Sequence, residues 1–456
     1  MKRTCLLTIA SLVFAILSSV VARSQNADDS PKPSARTIAR IFWQELETQS
    51  LRWGDLQRIG NAWHLDSNTI EGFPALDPES QSLVQMEALD DMLVTGIHDV
   101  ERGTIGSGWA AVRSGVSLEE HGDHAHAHFH DTPRLFAKRI DQDQGNPAHL
   151  YRYGGKIYLA NDAKNGFTMM ESVTDGSSNP SLVTSFLSGG GNHITLAVVE
   201  NNVCYATWAD RDGENAGRID VVPLDSTKAI AKPKIVLPVG GLHGATCNSG
   251  AVFFAPAAGI YVLPTDGHGG IRKDIAPMHV DLGKDPESDK PHRTGAFVNH
   301  RHWVLFQFGS GEQSQLGIID ATQTKPSLIS ISIPAEAGLS LSSPRCVVAA
   351  NGKEYAWVIQ HRKGSEAVER LIAVDLDPNG DRDLSDAAVL RSIELGNSRI
   401  DGHSGYHEIN FLPNGRLACI SNPGDGSLWI LSIHSLEVLA KLDVGGAPTR
   451  LLSFGE

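Results

Sequence analysis

Five histidines, His121, His124, His126, His128 and His130, fall within ten residues of the stretch GVSLEEHGDHAHAHFHDTPRL, although the chain has only 19 histidines among 456 residues. Neutral imidazole is a good ligand for Zn²⁺ at about 2.0–2.1 Å. Glu119, Glu120, Asp123 and Asp131 place carboxylates beside the same rings. In an extended chain, residues two apart share a face at a spacing of about 7 Å. His124, His126, His128 and His130 would then form a row that a loop can fold around one ion. The same donors take Cu²⁺ or Ni²⁺ at least as tightly, so affinity alone does not select zinc. The plainer alternative is a solvated polar loop that binds metal only adventitiously.

A second group of histidines emerges only through a repeat. A polar or His anchor, an apolar run, a tight turn and a second apolar run recur, as in AHLYRYGGKIYLAND from Ala148, HITLAVVENNVCYATWAD from His193 and HGATCNSGAVFFAPAAGIYVL from His243. Further copies start at His292, Arg345, His407 and near Pro448, and an earlier one starts at Ser82. Successive anchors from His149 onward lie 42 to 62 residues apart, close to the length of a four-stranded propeller blade. The inner strand of every blade begins at one mouth of the central channel, so equivalent anchors form a ring there. His149, His193, His243 and His292 occupy four regular anchors and His407 a fifth. Such a ring could hold an ion, with Asp401 and His403 of IDGHSGYHE reaching it from a neighbouring loop. A lone histidine at a strand start more often caps the strand by hydrogen bonds, and it is the recurrence that lifts the group above that reading.

The elements that must position these residues are strands. Expected hairpin turns fall at Gly154-Gly155, Asn201-Asn202, Ser249-Gly250, Asn299, Asn351-Gly352 and Asn414-Gly415. Runs of Val, Ile, Leu, Tyr and Phe separated by the chain's 45 glycines and 22 prolines read as all-β. The unit that starts near Pro448 has room for only one strand. Its blade should be completed from the N-terminal end, with Ala39–Trp53 as the candidate segment. That count gives eight blades; seven follows instead if Ser82–Ile140 is the completing piece. We therefore expect a single β-propeller over residues 36–456, carrying a His-rich loop at 119–131 and no second domain.

A third metal signal is DLDPNGDRDLSD, Asp375–Asp386, whose oxygen-bearing side chains follow the spacing of a Ca²⁺ loop with Gly380 at the turn. Position twelve is Asp rather than Glu and no flanking helices are evident, so a solvated turn is the favoured reading. Catalytic motifs are poorly represented. GHSG at Gly402–Gly405 lacks the spacing of a nucleophile elbow, and the chain has neither a P-loop nor a dinucleotide fingerprint.

Lys2 and Arg3 precede an apolar run from Leu6 to Val21 that ends at Ala22, which reads as an export signal over residues 1–22, followed by a disordered leader over 23–35. No other run reaches the roughly 20 apolar residues of a spanning helix, so no membrane association is expected after cleavage. Loss of Lys2 and Arg3 would take the formal charge from −14 to −16, which argues against a nucleic-acid partner and suits a protein that attracts cations. Cys204, Cys247, Cys346 and Cys419 are too far apart for a metal knuckle and lie in apolar runs, where buried thiols and disulfides are both open.

At this point the chain resembles the AztD family, periplasmic zinc metallochaperones that accompany a zinc ABC transporter and its solute-binding protein. The resemblance rests on RSGVSLEEHGDHAHAHFHD, on the PAH of Pro147–His149, the His of GGGNHITLAV, the LHG of Leu242–Gly244 and the DGH of Asp401–His403, in order and at blade spacing. It implies a propeller with one or two Zn²⁺ ions: a loop site drawing on His121, His124 and His126, to which the row described above adds His128, and an inner site of His149, His193 and His243 joined by His403. It also implies delivery of the ion to the transporter's solute-binding protein. Ala245 stands where the family's phrase carries Glu, and the cysteine usual just before that phrase is absent. We expect a periplasmic, monomeric, non-enzymatic carrier. The alternatives are a metal-dependent propeller hydrolase or lactonase, and an interaction scaffold whose His loop is incidental.

Overall fold

Alternation along each apolar run gives a strand two faces, and in this chain both faces are buried, so every sheet needs a neighbour on either side. The computed structural model satisfies that need with a ring of eight sheets. It describes residues 35–101, 105–122, 125–174, 180–225, 234–272, 276–335, 339–361, 368–400 and 407–456. The expected signal segment and most of the leader lie outside these residues, as do His124 and the Asp401–His403 loop. Among the described residues no helix is long and apolar enough to cross a membrane.

The inner strands of blades 1 to 5 are Gln81–Leu89, Pro147–Tyr153, Leu196–Val199, Ala245–Asn248 and Val298–His300. Blade 6 has two short inner strands, Ser340–Leu341 and Arg345–Val348, both paired with Glu354–His361. Ile409–Phe411 begins blade 7 and Pro448–Gly455 begins blade 8. Each inner strand is followed by strands that step outward through antiparallel pairs. Blade 8 draws on both ends of the sequence: Pro448–Gly455 pairs with Arg36–Glu45, which pairs with Ser50–Ile59. Ser82–Ile140 forms a blade of its own, so the seven-blade count is set aside.

Buried clusters between neighbouring blades hold the ring together. Along Arg36–Glu45 the alternation is explicit: Ile41 and Trp43 pack with Cys419, Leu428 and Ile430 of blade 7, whereas Phe42 packs with Met86, Leu93 and Val112 of blade 1. Complete burial of such a side chain contributes about 1.5–3 kcal/mol. The strand therefore links to blade 7 through one face and to blade 1 through the other.

Most hairpin turns fall where expected, with positive φ at Gly154 and Gly155, at Asn201, at Ser249 and Gly250, at Gly352 and at Gly415. Blade 5 differs. Asn299 lies within the inner strand, and the turn is made by Arg301, φ 55°, and His302 between the paired His300 and Trp303. Asn299 instead ties blade 5 to blade 4, its amide donating to Thr246 Oγ1 at 3.0 Å and to the Cys247 carbonyl at 2.9 Å. The four cysteines are free thiols. Burial pushes Cys247 up to about 11 and Cys346 up to about 12, far from the thiolate form that binds metal.

Candidate metal sites

Three anchor histidines meet at one mouth of the channel. His149 sits on the inner strand of blade 2, where the register shifts between Pro147 and Leu150, an irregularity of the kind that re-aims a side chain. His193 follows the Gly189–Asn192 turn. Gly190 adopts φ 77°, and a Cβ on Gly191 would lie 2.3 Å from the Trp208 ring, so the turn before His193 needs its glycines. His243 lies two residues before Ala245, where the inner strand of blade 4 begins. The ring centroids of His149 and His193 are 4.6 Å apart, and those of His193 and His243 are 4.9 Å apart.

Hydrogen bonds behind the rings decide which nitrogen each offers. Nδ1 of His193 lies 3.0 Å from Asp162 Oδ2, and the other oxygen of that carboxylate accepts from the Ile194 N–H at 3.0 Å. Nδ1 of His243 lies 3.3 Å from the Gly295 carbonyl. Both acceptors place the ring proton on Nδ1 and leave an Nε2 lone pair, the second-shell arrangement found around metal-bound imidazole. Nε2 of His193 lies 2.8 Å from Nε2 of His149. Two nitrogens bound to one tetrahedral zinc at 2.0–2.1 Å would lie about 3.3 Å apart, so a small separation of the pair admits an ion.

The three rings line a cavity of about 790 Å³, which also reaches His98, His361, Arg345, His407, Glu408 and Arg450. His98 is occupied by structure: Nδ1 faces the Pro147 carbonyl at 3.2 Å and Nε2 the Asn146 amide at 3.3 Å, which steadies the strand carrying His149. The anchor His407 is buried, with Nδ1 3.0 Å from the Ser421 carbonyl and Nε2 3.1 Å from Glu369 Oε2. Burial raises the Glu369 carboxyl, but the hydrogen bond and charge of His407, with Ser398, bring it below its ordinary value. His292 does not join the ring. Its side chain lies edge-on to Phe308, with ring centroids 5.8 Å apart, because the inner strand of blade 5 starts only at Val298, and Gly295 and Ala296 take its place on the cavity wall.

The His-rich stretch folds as a separate hairpin, Ser117–Glu120 against Ala125–His128, with Glu119 opposite His126. The expected row of His124, His126, His128 and His130 includes His124, which lies outside the described residues, and the other imidazoles lie in two pairs. His121 lies against His126, with centroids 5.3 Å apart, and His128 stacks on His130 at 5.1 Å. Glu119 joins the two pairs, 3.5 Å from His121 Nε2 and 3.0 Å from His128 Nε2. Glu456 lies 3.4 Å from His126 Nδ1 and accepts from the Ala127 N–H at 3.1 Å. At the base of the hairpin, buried Arg40 donates from Nη1 to the carbonyls of Ser114 and Asp131, at 2.8 and 2.5 Å, while Asp55 neutralises it.

Strand direction separates the two sites. The anchors His149, His193 and His243 lie where inner strands begin. The hairpin connects the third and fourth strands of blade 1, at the end where inner strands finish. An inner strand of seven residues, such as Pro147–Tyr153, spans about 23 Å. The two sites thus open on opposite faces of the ring.

In the Asp375–Asp386 loop, Asp377, Asp381 and Asp386 converge, with oxygens within 4.8 Å of one another. Asp377 already accepts the N–H groups of Gly380 and Arg382 at 2.8 and 3.1 Å, which gives the turn its shape from its own backbone. Desolvation and then the charges of Asp381 and Asp377 push the Asp386 carboxyl up. Asp375 faces Lys353 at 3.5 Å instead.

No family model and no curated protein matches the chain. Among solved structures it is similar to AztD of Citrobacter koseri, with a TM-score of 0.58 and 16% identity over 92% of this chain and 99% of that one. The apo form of the same protein gives a TM-score of 0.55 at 15% identity, covering 92% of this chain and 98% of that one. The dihydro-heme d1 dehydrogenase NirN, solved in complex with DHE, gives 0.50 at 13% identity, covering 91% of this chain and 75% of that one. These likenesses show the fold.

Proposed function

We propose that this chain is a zinc carrier of the AztD type, exported to the periplasm, which holds one ion in the channel mouth and a second on the His-rich hairpin. The observation that carries the reading is the paired orientation of His193 by Asp162 and of His243 by Gly295, which presents two Nε2 lone pairs beside His149. Solvent-facing carboxylates beside His121, His126 and His128 suit the hairpin to capture, and the deeper three-histidine site suits retention. Because the sites open on opposite faces, each loads independently. The solute-binding protein of a zinc ABC transporter is the receiving partner that the family resemblance implies.

The test is zinc stoichiometry on the purified chain and on two variants, His121→Ala/His126→Ala/His128→Ala and His149→Ala/His193→Ala/His243→Ala. Each should lose one equivalent, and unchanged metal in both would sink the proposal. The volume of the cavity favours one second reading, a metal-dependent hydrolase with an open coordination position. Turnover abolished by chelator and restored by zinc would establish it.

A further inference from the structure

Blade 8 reaches the His-rich hairpin of blade 1 at two points. Arg40 grips the base, because the Ser114 and Asp131 carbonyls, one on each leg, accept from the same Nη1. Glu456, directly after the inner strand Pro448–Gly455, reaches the returning strand of the hairpin. Its Oε2 accepts from the Ala127 N–H at 3.1 Å and lies 3.4 Å from Nδ1 of His126, while Oε1 faces Arg36 at 3.5 Å. The hairpin histidines belong to one blade and this carboxylate to the next.

Two spacings here suit an ion better than a hydrogen bond. A charge-assisted N–H···O bond runs at about 2.7–2.9 Å. Two donors bound to one tetrahedral zinc at about 2.0–2.2 Å lie about 3.3–3.5 Å from each other. His126 Nδ1 and Glu456 Oε2 are 3.4 Å apart, and His121 Nε2 and Glu119 Oε1 are 3.5 Å apart. Glu119 lies opposite His126 in the hairpin register, and the His121 and His126 rings have centroids 5.3 Å apart, so the two edges stand side by side. The four donors do not yet converge on one point. Their side chains are 46% exposed at His121, 54% at His126, 60% at Glu119 and 37% at Glu456, which leaves them room to turn. His128 Nε2, 3.0 Å from the other Glu119 oxygen, steadies that carboxylate from behind.

We propose that Glu456 is a metal ligand of the hairpin and closes, with His126, His121 and Glu119, a site shared between blades 1 and 8. The proposal rests on the zinc reading of the hairpin and adds to it a ligand from outside the His-rich stretch. An ion held there ties the inner strand of blade 8 to blade 1, beside the seam where Pro448–Gly455 pairs with Arg36–Glu45. Loading then stabilises the closure of the ring, since a ligand that binds only the folded form favours that form.

Calorimetric zinc titration of the full chain carrying His149→Ala/His193→Ala/His243→Ala reads the hairpin by itself, and hydrogen exchange reads the Pro448–Gly455 amides with and without zinc. One equivalent should bind, and those amides should exchange several-fold more slowly in its presence. Glu456→Gln keeps an oxygen for the Ala127 N–H but removes the anionic ligand. Zinc affinity should then fall about tenfold or more, and the zinc-dependent protection should vanish. Glu456→His, which supplies another donor, should retain both. If the triple background fails to fold, the same variants are read in the parent chain from the equivalent that His121→Ala/His126→Ala/His128→Ala removes. Hairpin zinc that Glu456→Gln leaves unchanged overturns this proposal and leaves the zinc reading intact. An equal loss in Glu456→Gln and Glu456→His makes Glu456 a seat for the hairpin and overturns its assignment as a ligand. A hairpin that takes no zinc in either background overturns the zinc reading of the hairpin and this proposal together.

Discussion

Asp162 stands 3.0 Å behind Nδ1 of His193, while the Nε2 of the same ring faces His149 at 2.8 Å. A carboxylate in that position fixes the tautomer and raises the basicity of the nitrogen that meets the metal. Asp162→Ala should therefore lower zinc affinity by about 10–100-fold while leaving the fold intact, as read by competition with a chromogenic chelator. Affinity equal to that of the parent chain would show that the pair has no bearing on metal.

Gly295 tests the other oriented ring. A Cβ at this position would lie 3.2 Å from His243 Nδ1, and the residue has no positive φ that alanine could not adopt. Gly295→Ala should displace the imidazole and weaken zinc binding, with a melting temperature close to that of the parent chain. A loss of melting temperature without a change in zinc affinity would place Gly295 in packing rather than in ligand orientation.

Glu408 and Glu369 make acid stability measurable. Burial raises both carboxyls, but Arg345 and Arg450 around Glu408, and His407 beside Glu369, hold the net value of each below the ordinary one. With the folded value depressed, their stabilisation is complete above the ordinary value near 4.5 and is lost as pH falls through the lower folded value. Glu408→Ala should cost about 2 kcal/mol at neutral pH, less than a fully buried pair because both guanidiniums are partly exposed. Denaturant melts at pH 7 and pH 4 should show the deficit of the variant shrinking only at the acid end.

Glu87 has the opposite sign. Burial pushes its carboxyl up despite Arg345 and Arg152, so the folded state holds the proton more tightly than the unfolded one. Ionised Glu87 then costs stability above its folded value, and the cost disappears below the ordinary value. Glu87→Gln should be more stable than the parent chain at pH 7 and equal to it at pH 4. A less stable variant at pH 7 would mean that the nearby arginines outweigh desolvation.

The blade repeat is legible in sequence because each inner strand repeats one pattern of anchor, apolar run and turn, and local chemistry suffices to draw it. Asn299 shows the limit: a good turn residue was taken by an inter-blade hydrogen bond, and the turn moved to Arg301 and His302. His149, His193 and His243 could be found because they share one repeated position. Asp162 and Gly295 could not, since each lies outside the anchors and meets its histidine only through tertiary packing, and nor could His98, which meets Pro147 on the strand that carries His149. Arg345, Glu408 and Arg450 do stand near anchors, but their grouping depends on which blades neighbour each other when the ring closes. His292 occupies a regular anchor in sequence and fails in space because five residues separate it from its strand.

The placement of the hairpin and the histidine-lined cavity at opposite ends of the inner strands gives the molecule a front and a back. Under the proposed function, a receiving protein seated over the cavity would leave the hairpin in solvent. Unloading at one side and recharging at the other could then overlap in time, where a one-sided carrier would have to release its partner before taking new cargo.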